Sequence, residues 1–308
     1  MTTTAADTLD RPVKVPTFGG LNLRRKIVNN AATVLVTLSV LVAMVPLIWV
    51  LYSTVTKGIS VITSSTWWFN SQAGMTAFAP GGGAYHAIVG TLLQGLICAV
   101  ISIPIGVFVG IYLVEYGGGT LLGRITTFMV DILTGVPSIV AALFIYALWV
   151  ATMGFQRSGF AVALALVLLM IPVIVRSTEE MLRIVPMDLR EASYALGVPK
   201  WKTIARIVIP TALSGIVTGI MLALARVMGE TAPLLILVGY SQAINFDLFG
   251  GFMGSLPGMM YDQVSAGAGA NPVPTDRLWG AALTLIILVA VLNIGARFVA
   301  KFFSPKQV

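Results

Sequence analysis

The chain has 308 residues, of which 57% are apolar and only 10% are charged, and its formal net charge is +7. A single soluble core cannot bury this much apolar surface, so the composition places the chain in a bilayer. Strand patterns of period two are absent, and a spanning helix needs about 20 apolar residues, so we predict an all-α polytopic membrane protein. The basic residues flank apolar segments without interleaved aromatic residues, which favours retention at a membrane surface over nucleic-acid binding.

Six apolar segments are predicted to cross the membrane as helices. They are residues 31–51, 87–114, 125–153, 160–175, 211–239 and 278–299. A polar tail of residues 1–30, expected to be disordered, precedes one transmembrane domain of residues 31–300, and residues 301–308 form a short tail. No short apolar core followed by a small-residue cleavage site is present near the N-terminus, so we expect the first span to be retained.

The distribution of Lys and Arg predicts the orientation of the spans. Most of the 19 basic residues lie on one side of the predicted membrane, whereas Lys57, Arg157 and Arg277 lie on the other and Arg226 lies within a span. Basic residues near span ends are retained in the cytoplasm. Both termini are therefore predicted to be cytoplasmic.

Several local patterns before the third span predict structural roles. Residues 67–69 read Trp-Trp-Phe and are predicted to anchor the chain at the membrane interface, and the Pro-Gly-Gly-Gly of residues 80–83 predicts a flexible turn. His86, the only histidine, is predicted to be solvated or interfacial and not a metal ligand. Cys98, the only cysteine, is predicted to be a small buried apolar residue.

Other features in the spans and the last external loop allow further expectations. Gly106 and Gly110 have the spacing that lets another helix approach closely. Asp131 lies in the third span, where an ionisable group must face protein, water or the interface, and we expect it to form structural hydrogen bonds. Residues 240–277 form a long external loop that we interpret as a surface for an outside partner.

The polar segment of residues 177–210 is set between apolar spans and is predicted to be cytoplasmic. Asp188 precedes Glu191 by three residues, which matches a capping box at the start of a short helix. Gly197 is placed to end this helix in the left-handed conformation, and Pro199 can open the next helix. A short helix of this kind can fit a groove on a soluble partner and carry rigid-body motion into the spans.

The fifth span carries a charged pair within an apolar helix. Gly215, Gly219, Ala223, Arg226 and Glu230 recur at helical spacing and share one predicted face. A charge near mid-span is costly in lipid, and a guanidinium fork suits oxyanions such as phosphate or sulfate. Glu230 is predicted to pair with Arg226 and to weaken its attraction for the anion. The alternative is an ion pair that only fastens two helices.

Two groups of motifs resemble a known family. Glu191-Ala192-Ser193, Gly197, Ile207 and Pro210 match the EAA loop of ABC importer permeases, with Ser193 in place of the usual second alanine and Ile209 in place of leucine. Residues 225–235 contain Ala-Arg followed by Gly-Glu-Thr-Ala-Pro-Leu-Leu. With these motifs, the chain resembles PstA-type permeases of the bacterial phosphate-specific ABC importers.

The resemblance implies a type I ABC importer permease fold in the bacterial inner membrane. It also implies a heterodimer with a PstC-like permease, two copies of a PstB-like ATPase and an external PstS-like phosphate-binding protein. Since this chain has no GxxxxGK[ST] sequence, it is expected to be no enzyme and to bind no cofactor, and ATP and Mg are expected to be used by the ATPase. With a single histidine, it is also expected to bind no metal. The implied coupling residues are those of the EAA loop: Glu191, Ala192, Ser193, Gly197, Ile207 and Pro210. The implied anion path has Arg226 and Glu230, with Arg176 as a weaker candidate at the cytoplasmic mouth.

Three alternatives stay open at this point. An ABC permease for sulfate, molybdate or phosphonate would share the EAA loop, and only the Gly-Glu-Thr-Ala-Pro segment argues against it. A stand-alone secondary transporter or channel would need its own coupling-ion site and usually an internal repeat, and neither is found in the sequence. A membrane-embedded enzyme would need a nucleophile, base or metal constellation, for which one His and one Cys offer little material.

Overall fold

The computed structural model describes residues 22–303, with side chains described through residue 298. These residues form helices joined by turns, and no strand occurs among them, in agreement with the all-α prediction. The α-helices are α1 (Leu23–Ile62), α2 (Ser65–Phe69), α3 (Tyr85–Glu115), α4 (Leu121–Thr134), α5 (Ser138–Ile145), α6 (Gly159–Ile184), α7 (Met187–Ala195), α8 (Lys200–Thr203), α9 (Ile209–Met228), α10 (Ala232–Leu237), α11 (Leu256–Ser265) and α12 (Pro272–Phe303). Two π-helical segments, Tyr146–Thr152 and Ile204–Val208, continue α5 and join α8 to α9.

The helix α1 begins at Leu23, earlier than the predicted first span at residue 31. Part of the predicted N-terminal tail is therefore helical. The expected disorder of residues 1–21 and the C-terminal tail from residue 304 lie outside the described residues.

Five helical stretches among the described residues are long and apolar enough to cross a membrane, and a bent pair could form a sixth span. The pair consists of Leu121–Thr134 and Ser138–Thr152, whose axes differ by 107°. The prediction of one continuous helix over residues 125–153 is therefore wrong. The break falls at Gly135-Val136-Pro137, because proline lacks an N–H and disfavours the helical conformation of the residue before it.

The predicted fifth span, residues 211–239, also has different bounds. Its helical stretch begins at Lys200, runs through the π-helical segment and ends at Met228, and α10 starts only at Ala232. The chain breaks at Gly229 because the ring of Pro233 would clash with the carbonyl four residues earlier. This break decides the position of Glu230, as described below.

The helix α6 forms the centre of the packed core, and glycines on α3 and α9 let these helices approach it. A Cβ atom at Gly106 would lie 2.7 Å from Ile174 Cβ, and one at Gly219 would lie 2.4 Å from Ser177 Cβ. The predicted close approach at small residues is therefore confirmed on both helices. Cys98 is buried in the same core, as predicted.

The interfacial role predicted for residues 67–69 is wrong for Trp67. Its side chain is only 2% exposed, and its Nε1 donates to Thr284 Oγ1 at 2.8 Å. Phe69, in contrast, is exposed. Trp67 is buried because the segment after α1 folds against α12, a long-range contact that local composition does not reveal.

The solvated position predicted for His86 is also wrong. His86 is buried at the start of α3, and its Nε2 lies 2.8 Å from Tyr240 Oη. Tyr240 and Gly254, which contact His86, belong to the predicted external loop, in which Met253, Leu256 and Met259 are buried. This loop thus folds partly into the core, although a role for its exposed part in binding a partner stays a prediction.

A buried cation stabilises the turn predicted from residues 80–83. Arg277 of α12 is 3% exposed, and its guanidinium donates to the carbonyls of Ala77, Ala79 and Gly81. The turn is therefore tied to a spanning helix. Near this cluster, burial raises the pKa of Asp262 in α11, whereas hydrogen bonds from Gln242 and Gln263 and the charge of Arg277 oppose that rise.

Candidate coupling loop and anion path

The short helix predicted in the cytoplasmic loop is present as α7, between α6 and the stretch that leads into α9. It begins at Met187 after Pro186, so Asp188 lies within the first turn and does not cap the helix. The predicted capping box of Asp188 and Glu191 is therefore wrong. Asp188 still contributes favourably, because a carboxylate near a helix N-terminus interacts with the macrodipole.

The turn after α7 has the geometry predicted for Gly197. Its φ is +74°, in the left-handed region, and its N–H donates to the carbonyl of Tyr194 at 2.9 Å. The N–H of Val198 donates to the carbonyl of Ser193 at 3.2 Å, which completes a Schellman motif. Pro199 follows as the N-terminal cap of α8. The predicted order of short helix, glycine turn and second helix is confirmed.

Every residue of α7 except Arg190 and Ser193 is exposed, and so are most residues of its flanking turns. Glu191 and Ala192 are exposed, and so are the large apolar side chains of Met187, Leu196 and Trp201. Leu196 is the most exposed of these three apolar side chains, at 83%. An exposed apolar surface of this kind on a polar loop is typical of an interaction site for another protein.

The remaining motif positions face this chain itself. Ser193 is buried, and its hydroxyl lies 2.8 Å from Thr203 Oγ1 across the Gly197 turn. Ile207 is half-buried in the π-helical segment, and Pro210 follows at the start of α9. Because Pro210 has no N–H to donate, the i to i−4 ladder is interrupted, and the π-helical segment directly before α9 accommodates the interruption.

No sequence pattern indicates the contact that attaches α7 to the spanning helices. Arg190 forms a buried ion pair with Glu115, and its Nη2 donates to the carbonyl of Leu182 at 2.9 Å. The Lys200 ammonium donates to the backbone carbonyl of Glu115. Charges that follow apolar segments on the cytoplasmic side are ordinarily retention signals, so the sequence offered no reason to pair residues so far apart.

Arg226 lies near the C-terminal end of α9 and is exposed. The prediction that Arg226 lies near the middle of a long continuous helix is therefore wrong. Glu230 lies beyond the helix end at Met228, and no ion pair joins these two residues among the described side chains. The predicted i, i+4 pairing is therefore wrong, because it required the helix to continue through Glu230.

Glu230 instead lines a small cavity at the junction of α3, α9 and α11. Thr91, Gln94 and Ser255 contribute polar side chains to the same cavity. Gln94 is buried and its Nε2 has no hydrogen-bond partner. Within the described part of the chain, no group of three or more His, Cys, Asp or Glu side chains is suited to a metal ion.

Arg176 belongs to a separate charged network. It pairs with Asp131 of α4, and its Nη1 lies 2.7 Å from Glu179 Oε2. Asp131 thus has the structural role predicted for it, since it ties the first half of the bent span to α6. Two carboxylates balance the charge of Arg176, whereas Arg226 has no such neighbour among the described residues.

Comparisons with known proteins agree with this geometry. The family model of the binding-protein-dependent transport system inner membrane component matches residues 102–308. A phosphate transport system permease protein PstA of Mycobacterium leprae is 56% identical over 304 residues, covering 98% of this chain and 97% of the relative. The PstA protein of Yersinia pestis is 41% identical over 281 residues, covering 91% of each chain.

Solved structures show the same fold at low identity. A bacterial ABC transporter involved in alginate import has a TM-score of 0.60 at 10% identity, covering 91% of this chain and 98% of that chain. The inward-facing MetNI methionine ABC transporter has a TM-score of 0.55 at 21% identity, covering 72% of this chain and 94% of that chain. The chain therefore belongs to the binding-protein-dependent transport system inner membrane component family, as a member of its PstA phosphate transport permeases.

Proposed function

We propose that this chain is a transmembrane permease subunit of an ATP-driven importer that moves inorganic phosphate into the cell by alternating access. The observation that carries the proposal is the identity of 56% to a PstA phosphate permease over 98% of the chain. The protein is a multi-pass protein of the bacterial inner membrane. Members of this family work with an ATPase and with a substrate-binding protein, and they are not catalytic themselves.

The coupling loop supports the ATP-driven part of the proposal. The exposed face of α7, with Glu191, Ala192 and Leu196, would dock in a groove of a cytoplasmic ATPase. Ser193, which is buried, and Ile207 and Pro210, which are half-buried, would carry the movement into α9, with the Gly197 turn as the hinge. ATP and Mg would be bound by the partner, and this chain would hold no cofactor.

The anion path is proposed to include Arg226 and Glu230. The guanidinium of Arg226 is exposed and has no carboxylate partner among the described residues, so its donors are available to an oxyanion. Glu230 lies nearby in the chain at the small cavity that Thr91, Gln94 and Ser255 also line, and it would limit how tightly an anion is held. Arg176 remains the weaker candidate, because Asp131 and Glu179 balance its charge.

The family membership supports a more detailed proposal for the composition of the importer. We propose a heterodimer with a PstC-like permease, two copies of a PstB-like ATPase and an external PstS-like phosphate-binding protein. The exposed Leu222 and Arg226 of α9 are compatible with a second permease that completes the path, since one chain alone leaves them uncovered.

The proposal is tested by uptake of labelled phosphate at micromolar concentration in host cells with and without this chain, with sulfate and molybdate uptake measured in parallel. Loss of phosphate uptake alone, restored by the intact chain, is the expected result. Loss of sulfate or molybdate uptake instead would identify another oxyanion importer. Unchanged uptake of all three anions would overturn the assignment.

A further inference from the structure

A buried ion pair joins α7, here called the coupling helix, to the C-terminal end of the spanning helix α3. Glu115 is the last residue of α3, Arg190 lies on α7, and each is only 8% exposed. A buried carboxylate at a helix C-terminus is unfavourable both because it is desolvated and because it opposes the helix macrodipole. The Arg190 guanidinium, which pairs with this carboxylate, compensates both effects.

The same two residues connect further helix ends. Arg190 Nη2 donates to the carbonyl of Leu182 in the last turn of α6, at 2.9 Å. The Lys200 ammonium, at the start of α8, donates to the carbonyl of Glu115 and lies 4.7 Å from the ring centroid of Tyr116. The ends of α3 and α6 and the start of α8 are therefore held around one buried pair.

The opposite end of α3 lies at the proposed anion path. The helix has 31 residues and is therefore roughly 46 Å long at 1.5 Å per residue. Near its other end, Thr91 and Gln94 line the cavity that Glu230 also lines. Thr91 Oγ1 accepts from the backbone N–H of Leu256 at 2.8 Å, so this end of α3 also contacts α11. Pro104 lies inside α3 and removes one hydrogen bond of its ladder, but the helix is continuous from Tyr85 to Glu115 and is held at both ends, so it can carry a displacement along its length.

We propose that Glu115 and Arg190 are positioning residues that make α3 move with α7, so that ATPase closure reaches Gln94 and Glu230 through α3 as well as through α9. The inference rests on the proposed function, because it assigns a second route of transmission within the same importer. Neither residue belongs to the EAA motif. Their role differs from docking, since both side chains are almost fully buried within this chain.

The first test uses the whole importer, with its second permease, ATPase and binding protein, reconstituted in liposomes. Glu115→Gln and Arg190→Gln are each expected to lower the phosphate transported per ATP hydrolysed by about tenfold in assembled complexes. The double variant is expected to resemble either single variant, because both remove the same link. Arg183→Gln is the matched control, because it removes an exposed arginine whose ion pair with Glu179, at 3.6 Å, lies within α6 and links no two helices. This variant should keep the wild-type ratio of transport to hydrolysis.

A purely structural role predicts a different outcome. The variants would then yield fewer assembled complexes, each with the wild-type ratio of transport to hydrolysis, and this result would overturn the proposal. If the Gln variants do not assemble, Glu115→Asp is measured in their place, because it keeps the charge and shortens the link by one methylene. A wild-type ratio in Glu115→Asp together with normal movement of α3 would also overturn it.

The movement of α3 is measured directly with nitroxide labels. Val100→Cys on α3 and Val291→Cys on α12 are introduced in a Cys98→Ala background, since both valines are exposed. The expected result is a nucleotide-dependent change in the label distance that falls to less than half in Glu115→Gln or Glu115→Asp. An unchanged response would overturn the proposal. This measurement needs the assembled importer and ATP but no phosphate, so its outcome is separate from a failure of the phosphate assignment.

Discussion

Ser193 Oγ lies 2.8 Å from Thr203 Oγ1 and so joins the coupling helix α7 to α8 across the turn at Gly197. Both residues are buried. Ser193 occupies the position where the EAA loop usually has its second alanine, and in this chain the hydroxyl gained there has a partner on the other side of the turn. The two helices of the coupling loop are thus held at a defined angle while the exposed face of α7 remains free to bind.

Ser193→Ala is expected to weaken the coupling loop slightly without stopping transport. Removal of one neutral hydrogen bond lowers the free energy of unfolding by about 0.5–1.5 kcal/mol. Thr203 Oγ1 keeps a contact with the Pro199 carbonyl at 3.5 Å. The measurement is the midpoint of thermal unfolding of the complex, together with phosphate uptake. Ser214→Ala, at an exposed position on α9, is the control and should leave the midpoint unchanged. A complete loss of uptake in Ser193→Ala would contradict this account.

Gly197→Val is expected to uncouple ATP hydrolysis from uptake. Gly197 has a φ of +74°, and an L-residue in the left-handed region costs about 1–2 kcal/mol, more so if it is β-branched. The turn would adopt another conformation and misplace α7 relative to α8. Phosphate uptake and ATP hydrolysis are measured on the same reconstituted complex.

Gly118→Val is the matched control for the Gly197 variant. A Cβ atom at Gly118 meets nothing within 4 Å, and its φ lies outside the left-handed region. This variant should therefore keep the wild-type ratio of phosphate uptake to ATP hydrolysis. An unchanged ratio in Gly197→Val would show that the turn does not transmit the movement.

Arg226→Gln is expected to abolish phosphate uptake while the complex still assembles. Arg226 is exposed and has no ion pair among the described residues, so its loss removes the proposed anion ligand without leaving a buried carboxylate unpaired. Uptake and copurification of the ATPase are the two measurements. Arg297→Gln, at an exposed position on α12, should behave like the wild type. Normal uptake by Arg226→Gln would remove Arg226 from the anion path.

Gly219→Ala is expected to disturb the packing of α9 against α6. The added Cβ atom would lie 2.4 Å from Ser177 Cβ, far inside van der Waals contact, so the helices must separate, and overpacking of this kind destabilises by about 1–3 kcal/mol. The yield of folded complex and its thermal midpoint are measured.

The same substitution at Gly295 provides the control for Gly219→Ala. Nothing lies within 4 Å of a Cβ atom at Gly295 in α12, and alanine is favoured over glycine inside a helix by about 0.5–1 kcal/mol. Gly295→Ala should therefore be neutral or stabilising. A midpoint for Gly219→Ala at or above that of the wild type would refute the packing argument.

Local sequence patterns predicted several features of the coupling loop correctly. The conformation of Gly197 follows from the lack of a Cβ atom, and the helix after Pro199 follows from the fixed φ of proline. The break after Met228 also had a local signal in Gly229 and Pro233, but the charged pattern of Arg226 and Glu230 suggested a continuous helix. Proline and glycine act on the neighbouring backbone, so their effects are visible in the sequence alone.

The sequence by itself determined the membrane class, the all-α fold and the family, because these depend on composition and on residues close together in the chain. The tertiary structure decided the burial of Trp67 and His86 and the ion pair between Glu115 and Arg190. Each of these depends on elements distant in sequence that pack together, and a long-range contact of this kind leaves no periodic signal in either of its partners.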